Sequence, residues 1–220
     1  MKIASVLLAA GAGTRFQASL ADWALRAVDL DGHRESNPGA GNANPPTTHK
    51  LLARMSDGRT VVEHSYAAMR INHSLDHGPL IVVQGAVELP LLPGSTVINN
   101  DQWAQGQSTS LRAAIACADS LHCDAVVVGL GDQPAISPHD WSAVRKAVVR
   151  GASIAVATFD GKRRNPVGLA RSVWPLLPTD ADEGARTVMR RNPELVTEVP
   201  CSGNSADIDT VEDLLRWPLN

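Results

Sequence analysis

Short apolar runs alternate with helix-start signals along most of this 220-residue chain, and that alternation restricts the fold more than any other feature. Ile3 to Ala9, Leu80 to Gln84, Ser95 to Ile98, Ala125 to Leu130 and Ser153 to Thr158 read as strands, being short, apolar and bounded by turn residues. Val167 to Ala170 and Leu195 to Val199 add two further extended candidates. Between them stand the helix signals. Thr60-x-x-Glu63 is a capping box, opening a helix with Val62, Tyr66 and Met69 on its inner side and a stop near Gly78-Pro79. Ser108 is placed to cap a helix through Leu111, Ile115 and Ala118. Ser137-Pro138-x-Asp140 opens another, with Trp141, Val144 and Val148 inside. Gly184 to Arg191 reads as helical, and Thr210-x-x-Asp213 opens a last helix carrying Leu214 and Leu215. Strands alternating with helices predict an α/β fold: one three-layer, Rossmann-like domain with a mostly parallel sheet.

One stretch breaks the pattern. Within residues 17–49, Ser19 to Val28 reads as a short amphipathic helix with Leu20, Trp23, Ala24 and Ala27 on one side, and Asp29 to His49 is rich in Gly, Asn and Pro. The second part buries little and reads as a mobile surface loop. We therefore read 17–49 as a flexible insertion within a single domain over 1–220. Lys50 to Arg54 followed by Asp57-Gly58 reads as a strand and a tight turn.

Composition removes several function classes. A formal net charge of -3 supplies no global field for nucleic acid or an anionic membrane. No apolar run approaches the ~20 residues needed to span a bilayer. Cys117, Cys123 and Cys201 are odd in number and contain no C-x-x-C, so a disulfide framework and a zinc knuckle are not suggested. Idle thiols fit a reducing cytoplasm. The seven histidines show no H-x-x-x-H spacing, and no Gly-x-Ser-x-Gly elbow is present.

In open α/β sheets ligands bind beyond the carboxyl ends of the strands, so the residues there carry the functional argument. After the first strand comes Ala10-Gly11-Ala12-Gly13-Thr14-Arg15-Phe16. Gly11 and Gly13 allow a tight turn and expose backbone N–H groups to a phosphate, with Arg15 adding a planar cation. Phe16 stands where a dinucleotide fingerprint needs its third glycine, and no Gly-Lys-Ser/Thr follows for a Walker loop. One lysine and eight interrupted apolar residues make a poor secretory signal. After the fourth main strand comes Gly131-Asp132-Gln133-Pro134, and near the end Asp207-Ile208-Asp209. Asp132 with Asp207 or Asp209 could share one Mg²⁺, which takes one or two carboxylates plus phosphate oxygens. Lys50 could reach the phosphates as a point charge. The amide- and hydroxyl-rich segment Asn99 to Ser110 could read a base or ribose edge.

These pieces stand in a familiar order. Leu8-Ala9-Ala10-Gly11-Ala12-Gly13-Thr14-Arg15-Phe16, Lys50-Leu51-Leu52, Gly131-Asp132-Gln133-Pro134 and Asp207-Ile208-Asp209-Thr210 resemble the sugar-nucleotidyltransferase-like superfamily. Within it the chain most resembles the molybdenum cofactor cytidylyltransferases. Gly106-x-Ser108-x-Ser110-Leu111, Arg164-Asn165-Pro166-Val167 and Asp182-Glu183-Gly184-Ala185-Arg186 add to the match. The resemblance implies a nucleotide-diphospho-sugar transferase type of fold. It implies that Leu8 to Gly13, Gln84, Gly106, Ser108 and Ser110 bind the nucleotide, and that Arg15 and Lys50 are catalytic. Asp132, Asp207 and Asp209 would serve Mg²⁺, while Asn165, Pro166, Asp182 and Arg186 would hold the second substrate. In the family Leu-Ala-Ala-Gly goes with CTP, so Ala10 points to CTP, with another NTP as the alternative. The implied acceptor is molybdopterin, whose terminal phosphate displaces pyrophosphate, and a molybdoenzyme is the partner such a product implies.

The chain also departs from the family. Thirty-five positions separate Arg15 from Lys50, where roughly ten are usual, and Gln17 replaces a common glycine. Arg164 and Ala181 replace common glycines on the acceptor side. Other acceptors on the same fold, a non-catalytic nucleotide or cofactor chaperone, and an oxidoreductase are the competing expectations.

Overall fold

The computed structural model describes residues 1–26, 49–71, 78–178 and 184–217. Seven strands form one sheet: β1 (Ile3–Ala9), β2 (Leu80–Gln84), β3 (Ser95–Asn99), β4 (Ala125–Leu130), β5 (Ile154–Phe159), β6 (Lys162–Ala170) and β7 (Val196–Pro200). Their spatial order is β3-β2-β1-β4-β6-β5-β7. All neighbours are parallel except β6, which runs antiparallel to both β4 and β5. The helices are α1 (Thr14–Arg26), α2 (Val61–Ile71), α3 (Gln107–Ser120), α4 (Pro138–Val149), α5 (Ala185–Arg191) and α6 (Val211–Leu215).

Side chains of β1 and β4 alternate between two cores. Ile3, Leu7, Ala125 and Val127 pack with Val62, Tyr66, Trp141, Val144 and Val148 of α2 and α4. Ala4, Val6, Leu8, Val126 and Val128 pack with Leu111, Ala114, Val188 and Met189 of α3 and α5. Val6, Val82, Val126 and Val127 have no measurable exposure, and burial of such a side chain contributes about 1.5–3 kcal/mol each. A third cluster joins Phe16 to Ala53, Val61, Ile208 and Val211, packing α1 against α6. Close approach explains Gly129: a Cβ there would lie 2.5 Å from the Trp141 ring. The predicted single α/β domain of three layers is therefore observed, as are the capping boxes opening α4 and α6.

Four local expectations need correction. Lys50 to Arg54 is not a strand: Lys50–Leu52 forms a 3₁₀ turn, and only Arg54 bridges to Thr60. The His49 ring accepts from the Leu51 N–H, which diverts the chain from sheet pairing. Helix α3 is not capped by Ser108; Gly106 at φ 114 precedes it, and Ser108 and Ser110 are buried in its first turn. Helix α1 starts directly after the glycine loop at Thr14, not at Ser19. Strand β6 starts at Lys162 rather than Val167, because Asp160 and Gly161 both take positive φ and close a two-residue hairpin with β5. The larger part of the expected insertion, 27–48, lies outside the described residues, as do the residues just before Gly78 where α2 was expected to stop.

Candidate functional site

Three chain segments converge at the carboxyl ends of β1 and β4. The Gly131 N–H donates to the Leu8 carbonyl at 2.9 Å, and the Ser65 hydroxyl donates to the Gly131 carbonyl at 2.9 Å. The Ile208 N–H donates to the Asp132 carbonyl at 2.9 Å, bringing in the loop before α6. Gln133 Nε2 donates to the Ser205 carbonyl, and the Val211 N–H donates to Ser19 Oγ of α1. Backbone bonds of this kind hold a site on rigid strand ends rather than on a free loop.

Lys50 stands at the centre of the convergence. Its Nζ donates to Asp132 Oδ2 at 2.6 Å and to Asp209 Oδ1 at 2.7 Å. Its side chain is only 12% exposed. Burial alone would lower the ammonium pKa, but the Asp132 and Asp209 carboxylates outweigh it and hold the value above 10.5. Lys50 is therefore a fixed positive charge. Arg15, 78% exposed, donates through one guanidinium nitrogen to Asp209 Oδ2, so Asp209 joins two cations.

The first loop lies beside this network. Among the described residues a Cβ on Gly11 would meet nothing within 4 Å, so none of them covers the bare backbone there. Gly13 is different. It takes φ 65, and a Cβ would lie 3.3 Å from His49 Nε2 and 3.4 Å from Lys50 Cγ. Glycine is required there both for the backbone and for the approach of His49 and Lys50. Gln17 Nε2 donates to the Ala12 carbonyl, closing the loop from the helix side.

Asp207 lies at the mouth of the adjoining cavity. Although its outer surface stays open, the protein packed around the carboxyl, and then the Asp132 charge, raise its pKa. Asp132 Oδ1 is buried with no hydrogen-bond partner among the described residues. Those residues assemble no group of three or more His, Cys, Asp or Glu side chains around one metal position.

Next to the carboxylates a cavity of about 600 Å³ opens between the sheet and α5. Its floor is apolar, with Leu8, Val128, Val156, Val167, Leu169 and Met189. Its rim is cationic and amidic, with Arg163, Arg164, Arg186, Asn165 and Gln107. Asn165 reaches the rim because β6 bulges there: Val156 pairs with Val167 and Ala157 with Arg164, leaving Asn165 and Pro166 between them. Arg163 pairs with Glu198, and Arg164 donates to the Arg163 carbonyl.

The structure thus brings Arg15, Lys50, Asp132 and Asp209 into one ion network, with Gly13 against the Lys50 stem and Gly11 bonded to His49. Leu8, Asn165, Arg186 and Asp207 line the adjoining cavity. Ala9 and Ala10 are buried where β1 meets the loop, and Gln84 pairs in register with Ala9. Gln84 donates to Asn99 Oδ1 and accepts from the Leu89 N–H. Ser110 Oγ accepts from the buried Asn100 side chain, which also donates to Thr109. Asp182 lies outside the described residues. Sequence reasoning passed over His49, whose only signal was its place before Lys50, and Ser65.

His49 is 2% exposed, and its Nε2 lies 2.9 Å from the Gly11 carbonyl. A carbonyl only accepts, and Nδ1 accepts from Leu51, so the ring is the neutral Nε2–H tautomer. Burial, opposed by the Gly11 bond, lowers its pKa below the ordinary 6.5. The folded protein binds this proton more weakly than the unfolded chain. Its contribution to stability is complete above about pH 6.5 and declines as the pH falls below that value toward the lowered native pKa. Denaturation midpoints between pH 7.5 and 5.5 are expected to fall more steeply for wild type than for His49→Gln. Parallel curves would contradict this.

A family model described as a MobA-like NTP transferase domain matches residues 5–196. Nicotine blue oxidoreductase of Paenarthrobacter nicotinovorans is 29% identical over 178 residues, covering 72% of this chain and 83% of that protein. A nucleotidyl transferase from Methanothermobacter superposes with a TM-score of 0.69 at 22% identity, covering 98% of this chain and 95% of that one. A Mycobacterium tuberculosis H37Rv protein solved in complex with manganese gives 0.65 at 22% identity, covering 99% and 100%. The structural likenesses show the fold, and the family model spans residues 5–196 of it. This chain belongs to the MobA-like NTP transferase domain family.

Proposed function

We propose that the protein transfers CMP from CTP to the terminal phosphate of molybdopterin, releasing pyrophosphate. The observation that carries nucleotidyl transfer is the Lys50 ammonium held between Asp132 and Asp209 beside the open Gly11 backbone. In this reading the N–H groups of 11–13 bind the triphosphate, and Lys50 and Arg15 exchange carboxylate partners for phosphate oxygens. Asn165 and Arg186 orient the acceptor. Transfer of this kind needs positioning and charge stabilisation rather than a covalent nucleophile.

The carboxylates fit a hard divalent cation. Asp132 Oδ1 is buried with no hydrogen-bond partner among the described residues, and burial, then the Asp132 charge, raises the pKa of Asp207, a penalty on its carboxylate that a cation would offset. Mg²⁺ uses one or two carboxylates with phosphate oxygens, so a larger cage is not required. Asp132 with Asp207 or Asp209 would hold it. Bound there, it would neutralise charge developing on the transferred phosphate.

The apolar floor and arginine rim of the cavity support an acceptor with a ring-like body and anionic groups, as molybdopterin has. Arg186→Ala and Arg164→Ala are expected to raise the acceptor KM several-fold while leaving the CTP KM unchanged. Equal effects on both would place the arginines elsewhere in the reaction. Ala10, through the family resemblance, supports CTP. We take the chain as one nucleotidyltransferase domain, 1–220, with 17–49 as an insertion within it. Its three thiols are free, which supports a reducing cytoplasm. Transfer of the product to a molybdoenzyme completes this reading.

The test is pyrophosphate release from each of four NTPs with Mg²⁺ and molybdopterin. CTP is expected to be preferred; release with another nucleotide would move the base preference, and no release would overturn the reading. The name of the Paenarthrobacter relative raises oxidoreduction as a second reading. NADPH oxidation with a quinoid acceptor would favour it.

A further inference from the structure

The 35-residue separation of Arg15 and Lys50 leaves a physical problem. A short connection would fix the lysine relative to the glycine loop by covalent continuity. A long one leaves many ways to place it, so something must hold the closing point. His49 stands immediately before Lys50, at that closing point.

We propose that His49 is a positioning residue that clamps the phosphate loop to the turn bearing Lys50; this rests on the nucleotidyl-transfer reading. Each ring nitrogen has a separate task. Nε2–H donates to the Gly11 carbonyl at 2.9 Å, across 38 positions of sequence. Nδ1 accepts from the Leu51 N–H at 3.2 Å, capping the 3₁₀ turn that starts at Lys50. The ring therefore measures the distance between loop and lysine.

Packing supports the same assignment independently. The position of a Gly13 Cβ lies 3.3 Å from His49 Nε2 and 3.4 Å from Lys50 Cγ, so loop, ring and lysine stem touch at one point. Leu51 follows into the core at 3% exposure, and its side chain would meet a Cβ on Gly131 at 3.3 Å. A shift of the ring would move the Lys50 ammonium relative to the loop and to Asp132 together. His49 itself is too deep, at 2% exposure, to touch a nucleotide in this arrangement. Its effect on transfer passes through Lys50 and the Gly11 backbone.

Three variants separate the two bonds. Glutamine extends an amide N–H toward the Gly11 carbonyl. Asparagine is a good cap for the Leu51 N–H but is too short for Gly11. Alanine removes both. Misplacement of a catalytic group without its loss lowers turnover by about 10- to 100-fold. The expected result is that His49→Ala and His49→Asn lose this much in kcat with little change in acceptor KM, and that His49→Gln recovers most of it.

The comparison is run on the full chain with whichever NTP and acceptor release pyrophosphate, beside thermal melts of each variant. Asparagine matching wild type would show that the cap alone suffices and would overturn the clamp. So would glutamine failing to exceed alanine, or losses that follow the melting temperature alone. A readout independent of activity uses ¹⁵N-histidine NMR. It is expected to show His49 as the neutral Nε2–H tautomer at neutral pH, and an Nδ1–H tautomer would overturn the clamp even if transfer is shown. If pyrophosphate is never released while the NMR result holds, the reaction assigned to the site fails and the clamp stands.

Discussion

Lys50→Ala is expected to lower turnover by about 10²- to 10³-fold, the usual loss when one preorganised transition-state charge is removed. Lys50 is the innermost cation of the site, and both of its carboxylate partners lie within 2.7 Å. Arg15 does not replace it, because its guanidinium is largely exposed and reaches only Asp209. Lys50→Arg is expected to remain far below wild type, since a planar fork does not fit a slot built for a point charge. The same change has a consequence for folding. Without the ammonium, Asp132 loses its ion-pair partner and Asp209 keeps only Arg15, so the melting temperature falls. A divalent cation is then expected to raise the melting temperature more in Lys50→Ala than in wild type, because binding only to the folded state stabilises it. Full turnover in Lys50→Ala would remove Lys50 from the reaction.

Asp132→Asn carries the second large effect. The change keeps the shape of the side chain and the main-chain bond from Ile208 to the Asp132 carbonyl. It removes the charge that faces Lys50 and that contributes to the raised pKa of Asp207. Turnover is expected to fall by a comparable ~10²- to 10³-fold. Affinity for the metal–triphosphate complex should drop, while affinity for metal-free triphosphate is retained or rises, because the pocket has lost a negative charge. Titration of CTP with and without Mg²⁺ reads this directly. An unchanged response to Mg²⁺ would exclude Asp132 as a ligand, and tight binding with no turnover in wild type would favour a chaperone.

Much of the fold is legible in the sequence wherever one local signal acts alone. Strands β1, β2 and β4 are apolar runs between turn residues, and their observed ends match the pattern. The Ser137 and Thr210 boxes open helices as their spacing requires. Legibility fails where tertiary partners decide. Lys162 to Arg164 are three cations in a row with no apolar strand signal, yet the Asp160-Gly161 turn folds them back along β5. Ser108 has cap chemistry but lies one residue inside a helix that Gly106 begins. The same division holds at the site. The glycines, Asp132 and the late acidic pair were visible as residues placed after strands. Their meeting around one ammonium was not, because Lys50 lies 82 positions from Asp132 and 159 from Asp209. A single buried histidine has no spacing pattern at all, so the role of His49 shows only in its ring bonds to Gly11 and Leu51.

The central claim is nucleotidyl transfer, and ³¹P NMR of the wild-type protein with CTP, Mg²⁺ and molybdopterin tests it most directly. The expected spectrum gains free pyrophosphate and, in equal amount, a new phosphoanhydride joining CMP to the acceptor phosphate. CTP left intact, or hydrolysed with the acceptor phosphate unchanged, would contradict it.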